Sequence, residues 1–179
     1  MSAEFGRFVR IDTLGPGPRA LSIEADEGER AALAKRFELV EIGRLAAEAS
    51  LTRTGETIVA TGRLEAEVVQ SCVASGEPVP ARIAEDFRIE FRPPPPPGSA
   101  DEEVELGESE LDVVFYGGAA IDLGEAVAET MSLALDPYPR SPAAEAALKA
   151  AGVKSEAQAR AESSPFAVLK DKLGKADPS

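Results

Sequence analysis

From Thr57 to Val69 the chain alternates with a period of two. Ile58, Ala60, Gly62, Leu64, Ala66 and Val68 share one face, while Thr57, Thr61, Arg63, Glu65 and Glu67 share the other. That pattern predicts an antiparallel strand with one buried and one wet face. Residues 81–91 alternate in the same way, with Ile83, Phe87, Ile89 and Phe91 opposed to Arg82, Asp86, Arg88 and Glu90. Residues 37–51 read as one long strand, bent at Gly43. Arg53-Thr-Gly55 supplies a hairpin turn into the first alternating strand, and Ser75-Gly-Glu-Pro78 supplies the next turn. Three consecutive strands joined by turns predict a meander.

Shorter elements flank it. Residues 5–11 form a β-prone run that ends at the turn cluster Leu14-Gly-Pro-Gly-Pro18, and residues 20–25 give a second short strand. Asp26, with Glu29 three residues on, makes a capping box for a helix to about Arg36. Residues 111–116 predict another strand, ended by Gly117-Gly118. Asp122 and Glu125 repeat the capping pattern, and Leu123, Ala126, Val127, Thr130, Met131 and Ala134 supply the buried stripe of the helix that follows. Asp136-Pro-Tyr-Pro139 stops it. Ser141-Pro142 restarts an alanine-rich helix ending near Gly152, and Ser164-Pro165-Phe166 opens a last short helix with Val168, Leu169 and Leu173 as its apolar positions. The pattern predicts an α+β fold: an antiparallel curved sheet or incomplete barrel, with a packed helix and C-terminal helices. Residues 1–140 are expected to form a single domain with a proline-rich, acidic loop at about 93–110, and residues 141–179 a helical C-terminal extension.

Charge divides the chain more sharply than hydropathy. Residues 93–139 contain no lysine or arginine and carry eleven carboxylates, a net charge of −11, against −13 for the whole chain of 179 residues. A field of that sign repels phosphate backbones and attracts cationic partners. The segment opens with a run of five prolines, residues 93–97, a stiff spacer ahead of the first carboxylate, Asp101.

The composition also narrows the chemistry. Histidine is absent, which removes the commonest general acid–base group and metal ligand, and with it any Ser–His or Cys–His pair. The single cysteine, Cys72, permits no disulfide within the chain and matches no structural zinc set. Absence of tryptophan and an aromatic content of 5% argue against a base-stacking platform. Neither Gly15-Pro-Gly17 nor Gly117-Gly118 has the lysine and helix context of a phosphate loop. These features point away from an enzyme, and no catalytic residue, metal site or cofactor is expected. Met1–Arg10 lacks a basic region followed by an apolar one, and no apolar run approaches the roughly 18–20 residues of a membrane span, so the expected location is the cytoplasm. Asp136-Pro-Tyr-Pro-Arg140 stands out because prolines stiffen it, and tyrosine and arginine are the residue types that anchor interfaces.

The order of these features resembles the bacterial YceD family, in its alphaproteobacterial form. The resemblance rests on the strand at residues 5–11, the segment 55–69 leading into Gln70-Ser-Cys72, Glu77-Pro-Val79, Ile121-Asp-Leu-Gly-Glu125, Leu133-Ala-Leu-Asp-Pro-Tyr-Pro-Arg140 and Ser164-Pro-Phe-Ala-Val-Leu-Lys170. It implies a non-enzymatic role in accumulation of large-subunit ribosomal RNA. Many relatives carry a Cys-x-x-Cys pair where this chain has Cys72 and Ser75, so no metal or redox role carries over. The expected partner is a basic large-subunit ribosomal protein or a pre-ribosomal particle, with ribosomal RNA contacted indirectly. Asp101, Glu102, Glu103, Glu105, Glu108, Tyr138 and Arg140 are the expected binding residues. The alternative is direct binding of ribosomal RNA through Arg7, Arg10, Arg53, Arg63, Arg82, Arg88 and Arg92 on a sheet face.

Overall fold

The computed structural model describes residues 4–95 and 112–153. Its strands are β1 (Phe8–Arg10), β2 (Arg19–Glu24), β3 (Glu41–Thr54), β4 (Thr57–Ser71), β5 (Pro78–Arg92), β6 (Asp112–Phe115) and β7 (Ala120–Asp122). Its helices are α1 (Glu27–Arg36), α2 (Leu123–Leu133) and α3 (Ala144–Ala150). The predicted meander is the centre of a five-stranded sheet in the order β2-β3-β4-β5-β6, and β1 pairs with β7 in a separate two-stranded ribbon. The fold is therefore α+β, and the sheet does not close into a barrel.

The alternation read from the sequence sets which face is inside. Ile58, Ala60, Leu64, Ala66 and Val68 of β4 are buried, with Leu45, Ala47, Ala49 and Leu51 of β3 and Ile83, Phe87, Ile89 and Phe91 of β5. α1 packs on β3, and α2 lies against β4, β5 and β1, covering the apolar face. Gly62 sits among these inward positions, opposite Ala49 on one side and Phe87 on the other. A β-carbon at Gly62 would run into the Glu48 carbonyl oxygen and would lie 2.8 Å from Phe87 Cζ. The missing side chain lets the Phe87 ring pack across the strand. The bend expected at Gly43 appears as a register shift between Ile42 and Arg44, a bulge that increases local twist.

The capping box of α1 forms as predicted, with Glu29 N donating to Asp26 Oδ1 at 2.9 Å and Asp26 N to Glu29 Oε2 at 2.8 Å. The helix closes through Glu38 at φ 56, with Leu39 N donating to Ala34 O at 2.9 Å, the left-handed closure that usually selects glycine. Residues 37–40 thus belong to this closure, and β3 begins later than the pattern predicted. Asp122 caps α2, but without a box: its Oδ1 accepts from Gly124 N at 3.1 Å, Glu125 N at 3.2 Å and Arg7 N at 2.9 Å. The Glu125 side chain reaches Arg36 instead, at 2.6 and 2.9 Å. One carboxylate thereby ties the N-terminal strand to the start of α2. Gly124 permits the crossing, since a β-carbon there would collide with Phe5 O and lie 3.0 Å from Arg7 Cγ.

Two further differences stand out. β6 pairs with β5 in parallel, Ile89 opposite Asp112 and Arg92 opposite Phe115, so the sheet is antiparallel except at this edge. β7 has no counterpart in the sequence reading, because three residues are too few to show a period. α3 begins at Ala144 with no side-chain cap, two residues after Pro142. The predicted last helix, at residues 164–173, lies outside the described residues.

Gly62→Ala is expected to destabilise the protein by about 1–3 kcal/mol through overpacking, whereas Gly43→Ala, whose nearest contact would be 3.8 Å away, should be near neutral. Urea denaturation of the two variants checks this. Asp122→Ala should lower stability by about 1–2 kcal/mol as a lost cap, with the Arg7 amide also left without its acceptor.

Candidate interaction surface

β4 and β5 are joined by the turn Cys72-Val-Ala-Ser-Gly-Glu77. Cys72 N donates to Glu77 O at 2.8 Å and Gly76 N to Cys72 O at 2.9 Å, and Gly76 adopts φ 74, the left-handed value such a reversal needs. Residues 136–141 lie across this turn as a strap. Gln70 Nε2 donates to Asp136 O at 2.8 Å, Val73 N to Pro139 O at 2.9 Å, Ser141 N to Cys72 Sγ at 3.3 Å and Ser141 Oγ to Glu77 Oε2 at 2.6 Å. Gln70, Cys72 and Ser141 are buried. Two prolines, together with the Tyr138 N–H donating to Asp136 Oδ1 at 2.9 Å, hold the strap's own shape.

This fixation displays Tyr138 rather than hiding it. Its side chain is 71% exposed, and Arg140 is exposed beside it, so Tyr138 does not pack on the sheet. Val40, Val73 and Leu133, also more than half exposed, lie at the same end of the molecule, with Val40 N bonded to Val69 O and Val73 to the strap. Most isolated apolar side chains at a surface mean nothing, but a cluster marks a contact region. Asp101, Glu102, Glu103, Glu105 and Glu108 lie outside the described residues, so the structure does not place them relative to Tyr138 and Arg140.

Sequence reasoning did not find the polar cluster beneath the strap. Ser75 Oγ lies 3.1 Å from Ser141 Oγ and 3.2 Å from Glu77 Oε2. The only sequence signal was the Cys-x-x-Ser-Gly turn itself, since Ser141 is distant along the chain. The Ser141 N–H pointing at Sγ, helped by the Ser75 hydroxyl and by the Ala74 and Ser75 amides, draws the Cys72 thiol down to about 6 against the opposing effect of burial. The neighbouring carboxylate, Glu77, accepts from Ser141 Oγ and is not among the groups bonded to the sulfur. Among the described residues, no group of three or more Cys, Asp or Glu is placed to hold a metal ion.

Six of the seven arginines of the alternative reading are tied up locally. Arg7 forks onto Glu29 at 2.6 and 2.7 Å, Arg10 pairs with Asp12, Arg63 with Asp86, Arg82 with Glu67 and Arg92 with Glu90. Arg53 donates to Gly55 O and Ile11 O. Arg88 is exposed on β5. The solvent face of the meander is charge-balanced by cross-strand pairs and presents no continuous cationic stripe. No helix among the described residues is long and apolar enough to cross a membrane.

A family model described as Large ribosomal RNA subunit accumulation protein YceD matches residues 60–171, a span that runs from within β4 through the turn, β5 and the strap. No curated protein and no solved structure matches the chain.

The Cys72 thiol is expected to ionise near pH 6, seen as thiolate absorbance in the ultraviolet, while alkylation stays slow because the sulfur is buried. Ser75→Ala should move the midpoint upward by removing a donor. The folded thiol ionises below the unfolded one, so the unfolded chain binds more protons between the two values. Stability should therefore rise with pH from about 6 to the ordinary thiol range, and Cys72→Ala should flatten that rise in urea midpoints.

Proposed function

Because the chain belongs to the YceD family, whose description is large ribosomal RNA subunit accumulation, we propose that it serves large-subunit biogenesis in the cytoplasm by binding, without a chemical step. Its partner in this reading is a basic large-subunit ribosomal protein or a pre-ribosomal particle. In this reading the body formed by the described strands and helices presents the contact surface.

The observation that carries the mechanism is the distribution of charge. The arginines of the sheet are largely neutralised by neighbouring carboxylates, whereas residues 93–139 have no cation of their own. The excess negative charge is thus available to a cationic partner, and Asp101, Glu102, Glu103, Glu105 and Glu108 screen basic segments that otherwise bind RNA without selectivity. Complementary charge mainly sets partner choice and association rate, and it weakens as salt shortens the screening length. Tyr138 on the fixed strap, with the exposed apolar Val73 and Leu133, supplies the contact that salt affects less. The same charge pairing disfavours direct RNA binding through the sheet, since Arg7, Arg10, Arg63, Arg82 and Arg92 would first have to leave their carboxylates.

Co-sedimentation from a lysate of the source cell, at low and high salt with mass spectrometry of each fraction, tests this reading. Recovery with large-subunit precursors or a basic ribosomal protein, lost at high salt, is the expected result. Neutralising the five acidic residues to Asn and Gln should remove most of the salt dependence, whereas Tyr138→Ala should weaken binding by about 1–2 kcal/mol at every salt concentration. Migration at the top of the gradient with no ribosomal partner would refute it.

A further inference from the structure

Beside the strap runs an open groove of about 570 Å³. Phe37 and Leu39 line one side, Leu133 and Leu135 at the end of α2 line another, and Val73 and Pro139 complete it. Leu133 is 78% exposed and Val73 57%, so its apolar lining faces water. The carboxylates of Glu38 and Asp136 also line the groove.

We propose that residues 164–173 of the same chain occupy this groove as an amphipathic segment. The occupant is written in the sequence: Phe166, Leu169 and Leu173 recur at the i, i+3, i+7 spacing by which a helix lays one face in a groove. Lys170, Lys172 and Lys175 outnumber Asp171 in and just after it, complementing Glu38 and Asp136. Connectivity brings it close. Pro139 lines the groove, Ser141 is bonded to Cys72 and Glu77, and α3 follows directly, buried through Ala144 and closed by Gly152 at φ 77. The described chain ends at Val153. Residues 154–165 can span up to about 40 Å when extended, while α3 carries the chain only about 10 Å away, so the return is well within reach. A short tether of this kind gives a millimolar effective concentration, enough for a contact too weak to hold as a free peptide. The inference stands apart from the ribosomal reading and survives its failure.

Hydrogen exchange of the full chain, read by mass spectrometry, tests it. Amides of residues 166–173 are expected to exchange about tenfold slower than in Leu133→Glu or Leu169→Glu, the ratio of a millimolar effective concentration to a docking constant about tenfold lower. Leu133 is exposed, so its substitution leaves the β4 amides as protected as before, which controls for unfolding. Equal exchange in all three proteins overturns the proposal. Slowing lost in Leu169→Glu but retained in Leu133→Glu overturns it by placing the segment elsewhere. Slowing that vanishes on dilution also overturns it, identifying a second copy as the occupant.

Discussion

Everything in this molecule is referred to the register of β4. It is hydrogen-bonded on both sides along nearly its whole length, and Thr54 opposite Thr57 across Gly55-Glu56 starts the count on one side. A slip by one residue would send Leu64 and Val68 to water and bring Arg63 and Glu67 inside, so the pairing has one low-energy solution. Gly62 sharpens it further, because only at that position does the inner face have room for the Phe87 ring. The register decides where β4 ends, and hence where Cys72, Val73 and the turn to Glu77 come to rest.

The strap depends on that end point. Its bonds to Gln70, Val73, Cys72 and Glu77 all go to residues within or next to the turn, and each would be lost if the ladder shifted. α2 delivers the strap from the other side, held by Asp122, whose single oxygen gathers amides from both the N-terminal strand and the helix start. An exposed tyrosine on a segment fixed at both ends has already given up the freedom that binding would otherwise consume. The rigid body and the surface contact are therefore products of the same hydrogen bonds.

Much of this was legible in the sequence. Period-two alternation over more than ten residues is hard to mistake, and the meander, the Gly43 irregularity and both helix starts followed from it and from the caps. The failures were long-range. Glu125 stands at the box position yet pairs with Arg36, a residue 89 positions away, which local spacing cannot reveal. The β1–β7 ribbon needs only three residues from each partner, and the parallel placement of β6 is set by the core face of Phe91 and Val114 rather than by any pattern within β6. At the candidate surface, Tyr138 and Arg140 were visible as residue types in a stiff segment. The Ser75–Ser141–Glu77 cluster was not, because it forms only once the strap crosses the turn.

The parallel pairing of β5 and β6 has a consequence for the acidic residues between them. Parallel neighbours cannot be joined by a tight reversal, so the chain from Arg92 must leave the sheet and come back to Asp112. Tyr116 secures the return, its N–H donating to Arg92 O at 2.9 Å and its hydroxyl to Glu56 O at 2.6 Å. The carboxylates of residues 101–110 are accordingly carried by a bight moored at both ends, not by a free tail.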